Sequence, residues 1–351
     1  MAVEITRFEM AGPDDVGALT TLLRGMDAAT ITRLAVVAKV EGTATINDFS
    51  RALALRAIAD CFARAGCSAQ ADALIIVSTG CEGIITPGGF LITESSAKGV
   101  GLAGLALGVA RSEPLAPDQM INATHARIAA RVTAAAITDA KLRPEDVALV
   151  LMKSPVLTRA EAVGLKPEHR AWANSTAGSR GIAALGVAAA LGEIDMSDID
   201  AGSLGRPDLY ARRAMSFSGT ETRRCEAIVL GNRPGSSQAI RTGVIADLLD
   251  IEGMAAIIAP DSPAPLATAM SMSRNGRIKA AFLKAGLASD GRVRGQRTTI
   301  DSSDLDPDKH LRAAASGALG ALLGDTRCFV SGGAEHQAPP GGCVFAVVLA
   351  E

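Results

Sequence analysis

Three lysines stand at the ends of apolar, strand-like runs, and each belongs to a copy of the same pattern that closes in a turn rich in serine or glycine. These lysines are Lys39, Lys153 and Lys284. A lysine that lies among other cations and away from water has its ammonium form disfavoured, so its pKa falls. The neutral amine can then take the proton of a serine hydroxyl, which is too weakly acidic to attack a carbonyl unaided. The residue types therefore indicate nucleophilic catalysis by Ser–Lys pairs.

Serines occupy two of the three turns at the same distance before a glutamate. Ser78 and Ser331 each precede a glutamate by four residues. The same position in the second copy is Phe217, and Ser216 and Ser218 flank it, so the second serine is shifted by one residue or lost. For one copy alone, solvated residues at strand ends would be the better explanation. The same order in three copies favours chemistry.

Arginines and glycines add groups that bind carbonyl oxygens. An arginine lies near the start of a predicted helix in each copy, at Arg51, Arg180 and Arg312. Their forked donors suit planar carbonyl or imide edges. Backbone N–H groups of glycine-rich turns can approach a developing oxyanion, and these glycines are Gly80, Gly219, Gly332 and Gly333. If the three copies bring these groups together in one pocket, that pocket would suit a small, flat, electron-rich ring with several carbonyls.

The elements that must position these residues recur three times along the chain. Each copy has an apolar strand that ends at a lysine, a helix that carries an arginine, and a short strand near the turn. The predicted helices are Ser50–Cys67, Gly181–Leu191 and Leu311–Leu323, and the strands before the lysines are Leu34–Ala38, Val147–Met152 and Ile278–Leu283. We predict an α/β fold of three structurally similar repeats around a pseudo-threefold axis with a central pocket, formed by residues 1–98, 99–234 and 235–351.

Composition excludes several classes of function. The chain has 351 residues, 48% of them hydrophobic and 3% aromatic, with 35 basic against 37 acidic residues. A nucleic-acid binder normally has a basic excess and stacking aromatics, so we expect no nucleic-acid partner. No apolar run approaches the roughly 20 residues of a membrane span, and the N-terminus does not read as a signal peptide. We expect a cytoplasmic protein without a membrane partner, and abundant apolar surface predicts a homo-oligomer such as a homotetramer.

Metal and thiol chemistry are also disfavoured. The six cysteines form no CxxC pair, and the four histidines form no HExxH motif, so we expect neither disulfides nor a catalytic zinc. Cys81 follows Ser78 by three residues, but filling a small core position explains it better than a thiol nucleophile. The glycine-bearing run 100–108 lacks the Lys-Ser/Thr ending of a phosphate loop and is predicted to be a buried strand.

Several segments carry a resemblance to a known family. They are Lys39-Val-Glu-Gly, Ile46-Asn-Asp-Phe-Ser-Arg51, Ser78-Thr-Gly-Cys-Glu-Gly, Lys153-Ser-Pro-Val-Leu-Thr, Ser179-Arg-Gly-Ile-Ala-Ala-Leu-Gly186, Val293-Arg-Gly-Gln-Arg-Thr and Val330-Ser-Gly-Gly-Ala-Glu-His-Gln. Together they resemble the cyanuric acid hydrolase/barbiturase family over nearly the whole chain. The resemblance implies a three-repeat fold, three Ser–Lys pairs, three substrate-gripping arginines and hydrolytic opening of a cyclic imide.

Roles for individual residues follow from the resemblance. It implies that Ser216 or Ser218 is the nucleophile and Lys153 its base, since the family usually uses the Ser–Lys pair of the second copy for attack. Lys39 with Ser78 competes because both positions are intact, and Lys284 with Ser331 would hold another carbonyl. The implied substrate-binding residues are Arg51, Arg180, Arg312, Thr79, Gly80, Gly219 and Gly332. If no serine is the nucleophile, water activated by a lysine replaces it.

Departures from the family pattern bear on metal content and activity. Family members usually place a glutamate two residues after the third lysine, as part of a structural metal site, where this chain has Gly286. We therefore expect no cofactor and no structural metal. The implied partner is a small planar imide such as cyanuric acid, barbiturate or a dioxo-pyridine ring. A non-catalytic small-molecule binder on the same scaffold is the alternative that Phe217 suggests, whereas the retained Lys39, Ser78, Lys153, Lys284 and Ser331 favour the enzyme.

Overall fold

The main strands form three four-stranded sheets. The computed structural model describes residues 1–66, 72–97, 101–167, 170 and 174–350. The first sheet contains β1 (Ala2–Glu9), β2 (Ile31–Val40), β3 (Leu74–Thr79) and β4 (Gly88–Ser95). The second contains β5 (Leu105–Arg111), β6 (Val147–Pro155), β7 (Ala214–Gly219) and β8 (Glu226–Asn232). The third contains β9 (Ile240–Ile245), β10 (Ile278–Ala285) and, after the small hairpin of β11 (Arg292–Val293) and β12 (Gln296–Arg297), β13 (Phe329–Gly332) and β14 (Cys343–Leu349).

Each sheet has the same order of strands. In the first sheet β4 lies between β1 and β2, and β3 pairs with the other edge of β2. β8 and β14 hold the place of β4 in the other two sheets. The fourth strand runs antiparallel to both of its neighbours, whereas the second and third strands are parallel. The shared topology confirms the predicted α/β fold of three similar repeats.

Helices connect the strands and cover one face of each sheet. They are α1 (Gly17–Arg24), α2 (Ser50–Ala65), α3 (Ala123–Asp139), α4 (Arg159–Ala162), α5 (Thr176–Ala190), α6 (Ile251–Ile258), α7 (Pro265–Arg274) and α8 (Pro307–Leu323). Parallel strands need a long crossover, and α2, α5 and α8 lie on the crossovers between the second and third strands. Each therefore starts near the strand ends that carry the lysines.

The capping residues explain why the helices begin and end at different residues from those predicted. Ser175 accepts a hydrogen bond from the backbone N–H of Gly178, and Asp306 accepts one from Lys309, so α5 and α8 begin about one turn earlier than predicted. α2 ends at Ala65 because Gly66 adopts the left-handed conformation at its C-cap. The predicted end of this helix, Cys67, lies outside the described residues, as do residues 98 and 99, which flank the predicted boundary between the first two repeats.

Alternation along the strands separates a shared core from three outer ones. Val37, Leu151 and Phe282 lie two residues before their lysines and belong to one buried cluster drawn from all three sheets. The side chains on the opposite faces pack against the helices in separate clusters. Successive side chains of a strand point to opposite faces, so the inner faces of the sheets pack together at the centre. In the described part of the chain, no helix has the length and apolar character needed to cross a bilayer.

Candidate active site

The three lysines lie on the inner faces of their sheets, next to the third strand of each. In the parallel register Lys39 is opposite Ser78 and Lys284 is opposite Ser331. Lys153 is opposite Phe217. All three lysines are almost completely buried. The strand register thus places equivalent residues of the three repeats around the common core.

Two of the lysines contact serine hydroxyls. Lys39 Nζ lies 3.2 Å from Ser78 Oγ and donates to the carbonyl oxygen of Thr79 at 2.8 Å. Lys284 Nζ lies 3.2 Å from Ser331 Oγ. These two pairs are those that the strand ends predict, since the ends of adjacent parallel strands meet at one edge of a sheet.

The structure does not bring Ser216 or Ser218 to Lys153. Phe217 occupies the inner face of β7 opposite Lys153, so the side chains of its two neighbours in the strand point away from that lysine. Ser218 Oγ donates to the carbonyl oxygen of Thr176 at 3.0 Å, and the buried Ser216 Oγ has no hydrogen-bond partner among the described residues. The expected pair of Lys153 with one of these serines is therefore not formed, because a shift by one residue reverses the face.

Lys153 is held by an ion pair in place of a serine. Its Nζ pairs with the buried carboxylate of Glu221 and donates to the carbonyl oxygen of Val77 at 2.9 Å. Burial alone raises the pKa of the Glu221 carboxyl, but Lys153 and Arg51 outweigh it and the pKa is lowered. Glu221 is therefore ionised, and it compensates two buried cations.

Each arginine crosses to the glutamate of a different sheet. Arg312 binds Glu82 with Nε–O and Nη2–O distances of 2.6 and 2.8 Å. Arg180 binds Glu335 at 2.9 and 2.6 Å in the same way. Arg51 Nε donates to Glu221 at 3.0 Å. The forked edge expected to grip a substrate is thus engaged by protein carboxylates in Arg180 and Arg312.

Three equivalent sets of residues result, which we name corners. The first corner is Lys39, Ser78, Glu82 and Arg312. The second corner is Lys153, Phe217, Glu221 and Arg51. The third corner is Lys284, Ser331, Glu335 and Arg180. In every corner the arginine comes from a helix of one repeat, and the other three residues come from the sheet and turn of another.

The corners surround a cavity at the centre of the molecule. Its volume is about 40 Å³. The described residues that line it are Ala44, Arg51, Ser78, Thr79, Arg180, Phe217, Ser218, Lys284, Asp308, Arg312, Ser331 and Gly332. Lys39 reaches this cavity through its contact with Ser78, whereas Lys153 is not among the described lining residues. A central pocket shared by three repeats is therefore present.

Burial gives the first and third lysines the character of bases. Removal from water, followed by repulsion from Arg312, lowers the pKa of Lys39 to about 7. Burial and Arg180 lower the pKa of Lys284 well below its ordinary value. An amine with a pKa near the working pH is the most effective general base, because it is both available and basic. Lys39 fits this requirement.

The glycines of the turns make room for the Arg–Glu pairs. Gly80 has φ +96°, and a Cβ there would lie 2.8 Å from Glu82 and 2.9 Å from Arg312. At Gly333, with φ +74°, a Cβ would collide with Arg180. Gly332 lines the cavity, whereas Gly80 and Gly219 lie against the ion pairs and not among the described lining residues. Gly80 and Gly219 thus make room for the ion pairs, and their contact with a substrate stays a prediction.

Several groups at the cavity were not predicted from the sequence. Asp308 lines it, and its carboxylate lies 3.5 Å from Arg180 Nη2. Thr79, a predicted binding residue, lines the cavity and accepts a hydrogen bond from Arg51 at 3.0 Å. The arginine partners Glu82, Glu221 and Glu335 were also not predicted. Their recurrence four residues after the serine position was the signal in the sequence that could have indicated a shared role. Asp308 had no such signal.

Metal-binding and thiol groups contribute little to this cavity. Within the described ranges, no group of three or more His, Cys, Asp or Glu side chains could hold a metal ion. The five described cysteines are free thiols, and burial raises the pKa of the nearby Cys81 to about 11. His336 sits between the carbonyl oxygens of Leu209 and Leu204, at 2.6 and 3.3 Å, and helps to hold the third turn.

Comparisons with known proteins identify the family. A family model described as an amidohydrolase ring-opening protein matches residues 4–350. A cyanuric acid amidohydrolase of Pseudonocardia dioxanivorans is 36% identical over 357 residues, which cover 99% of this chain and 98% of that protein. One of Bradyrhizobium sp. is 37% identical over 370 residues, with 98% and 97% covered. A crystal structure of a cyanuric acid hydrolase from A. caulinodans superposes with a TM-score of 0.87 at 30% identity, covering 99% of each chain. A second cyanuric acid hydrolase structure, attributed to structural concatenation, has a TM-score of 0.87 at 27% identity and covers 100% of this chain and 99% of its own. The chain therefore belongs to the family of ring-opening amidohydrolases, which are hydrolases of cyclic amides.

Proposed function

We propose that this protein opens the ring of a small cyclic imide by attack of Ser78, with Lys39 as the general base. The contact of 3.2 Å between Lys39 Nζ and Ser78 Oγ at the cavity wall carries the proposal. The pKa of Lys39, lowered to about 7, supports it, because a large fraction of the amine is neutral at physiological pH. Burial also lowers the pKa of Lys284 well below its ordinary value.

The reaction is a hydrolysis through a covalent intermediate. Ser78 Oγ attacks a ring carbonyl carbon while its proton passes to Lys39 Nζ. The C–N bond then breaks, the ring nitrogen takes the proton from Lys39, and an ester links the opened ring to Ser78. Water attacks this ester with Lys39 again as the base. The product is an open-chain carboxylic acid that retains the amide nitrogen, and Ser78 is regenerated.

The other groups of the first and third corners bind the carbonyls. Ser331 with Lys284 holds a second ring carbonyl, as Ser78 with Lys39 positions the first. Arg180 and Arg312 bring positive charge to the cavity wall, and this charge stabilises an oxyanion in the transition state. The glutamates that bind these arginines keep their planes fixed. A ring with several carbonyls and partial negative charge fits this surrounding.

Relatives indicate the class of ring. The named relatives are cyanuric acid amidohydrolases, and we propose a substrate among cyanuric acid, barbiturate and related dioxo-pyridine rings. A panel of these rings assayed by loss of ultraviolet absorbance tests the proposal. Binding without turnover across the whole panel would favour the alternative of a non-catalytic binding protein, which the replacement of a serine by Phe217 suggests.

Separate alanine variants identify the nucleophile. Ser78→Ala should reduce turnover to background while substrate still binds, whereas Ser331→Ala should lose about 10²–10³ in rate, as for an oxyanion donor. Ser216→Ala is the matched control, because its hydroxyl faces the helical layer, and it should retain activity. Intact mass measurement after rapid quenching should show the acyl group on the wild type, Ser216→Ala and Ser331→Ala, but not on Ser78→Ala. Equal, mild impairment of the first two variants would refute a serine nucleophile.

We also propose a homo-oligomer in the cytoplasm, built from chains whose repeats divide near residues 98 and 234. The apolar surface away from the cavity supports the oligomer, and Phe49 is 81% exposed. Light scattering of the purified protein tests the oligomer, and a strict monomer would contradict it. Catalysis by Ser78 and Lys39 needs neither a metal nor an organic cofactor, so treatment with a chelator should leave turnover unchanged.

A further inference from the structure

The second corner presents no hydroxyl to a ligand carbonyl. Phe217 stands where the other corners present a hydroxyl, and it lines the same cavity as Ser78 and Ser331. Behind it, Lys153 Nζ is bound by Glu221 and by the carbonyl oxygen of Val77. The first and third corners therefore present a serine hydroxyl to the cavity, and the second corner presents an aromatic ring.

The arginine of the second corner is also more fully engaged than the other two. Arg51 donates from Nε to Glu221, from Nη1 to Thr79 and from Nη2 to the carbonyl oxygen of Thr45. Among the described residues, Nη1 of Arg180 and Nη1 of Arg312 make no hydrogen bond. The first and third corners thus keep donors for a ligand, while each nitrogen of Arg51 already has a protein acceptor.

Phe217 is packed on several sides within the central core. Its ring packs edge-on against Phe329 with a centroid distance of 5.4 Å, and Lys284 Nζ lies 4.8 Å from its centroid. The residue is 3% exposed and belongs to the central core. The neighbouring Ser218 lines the cavity, but its hydroxyl donates to Thr176 and is not available as a donor. The apolar wall is a fixed part of the structure.

We infer that the preferred substrate has two ring carbonyls and an apolar third position. This inference rests on the proposed function and specifies its substrate. The two carbonyls flank the ring N–H and are bound by the first and third corners, and the ring atom opposite this nitrogen is a methylene or C–H group that packs on Phe217. Six-membered imides of the glutarimide type have this arrangement. In cyanuric acid a third carbonyl occupies that position, so it would be buried without a hydrogen-bond donor.

Matched substrates and variants test the inference. The wild-type protein should open glutarimide with a kcat/KM about 10- to 100-fold above that for cyanuric acid, since an unpaired buried carbonyl weakens binding by that order. Phe217→Ser restores a hydroxyl at this position and should shift the ratio at least about 10-fold toward cyanuric acid. Phe217→Leu removes the ring without adding a hydroxyl and should keep the wild-type preference. For any ring that is not opened, the ratio of Kd values from calorimetry replaces the ratio of kcat/KM.

The outcomes separate this inference from the proposed function. Preference of the wild type for cyanuric acid, or an equal shift in both variants, would overturn the inference while ring opening itself stands. Loss of turnover on every ring would contradict the proposed function, and the ratio of Kd values would still decide the preference. If Phe217→Ser does not fold, as thermal unfolding would show, the wild-type ratio alone supports or overturns the inference.

Discussion

Replacing Lys39 by methionine should make the protein more stable and inactive at neutral pH. Burial and Arg312 lower the pKa of Lys39 from its ordinary 10.5 to about 7. The unfolded chain therefore holds one more proton than the folded chain between these values. The free energy of unfolding of the wild type therefore rises with pH between pH 7 and 10.5. The contribution of Lys39 to this slope is up to about 1.4 kcal/mol per pH unit.

The size of the effect follows from the pKa and the lost contacts. A pKa that falls by about 3.5 corresponds to a cost near 4 kcal/mol at pH 7, where the folded amine is half protonated. Methionine removes this cost but loses the hydrogen bonds of Nζ with Ser78 and Thr79, worth about 1 kcal/mol each. We expect Lys39→Met to be more stable by about 2 kcal/mol at pH 7, with no advantage near pH 9.

Chemical unfolding of both proteins at pH 7, 8 and 9 measures this difference. Lys279→Met is the matched control, because Lys279 is an exposed lysine in strand β10, and its replacement should leave the pH slope unchanged. The activity assay should show loss of turnover in Lys39→Met alone. Parallel stability curves for wild type and Lys39→Met between pH 7 and 9 would refute a neutral buried amine at this position, and with it the proposed base.

Three further variants test the cavity and its supports. Arg312→Lys should raise KM about 10-fold or more, because an ammonium group cannot serve a carboxylate and a ligand carbonyl with one planar fork; unchanged kinetics would remove this arginine from the binding site. Glu221→Gln should lower the free energy of unfolding by about 3–5 kcal/mol, because two buried cations lose their anion. The control Glu161→Gln breaks a partly exposed ion pair and should cost at most about 1 kcal/mol, so equal effects in chemical unfolding would contradict the assignment. Cys81→Ala should keep full turnover, because burial raises the thiol pKa to about 11 and little thiolate exists at pH 7; an inactive, folded variant would make this thiol part of the chemistry.

Much of the fold could be predicted because its elements are repeated. The order of strand, lysine, helix and arginine recurs, and parallel second and third strands with a helical crossover follow from it. The contact between Lys39 and Ser78 also follows, since both stand at the ends of adjacent parallel strands. Local order along the chain was sufficient for these features.

Other parts of the site depend on geometry that spacing does not carry. The partners of Arg51, Arg180 and Arg312 lie 170, 155 and 230 residues away in the sequence, on other sheets. Only the packing of three sheets brings them together. The misplaced pair at Lys153 is a different case, because strand alternation alone requires that Ser216 face away from it. That error was avoidable from the sequence.

The crossing of each arginine to another sheet makes the three repeats chemically inseparable. A repeat that stood alone would have a lysine with an ionised glutamate beside it and no guanidinium to compensate that charge. Each repeat therefore contributes to two corners, to one through its sheet and to the other through its helix. Phe217 makes the second corner apolar, yet Arg180 of the same repeat still binds Glu335 in the third corner. A substitution at one wall can thus alter a single corner, whereas the exchange of a whole repeat would alter two of them.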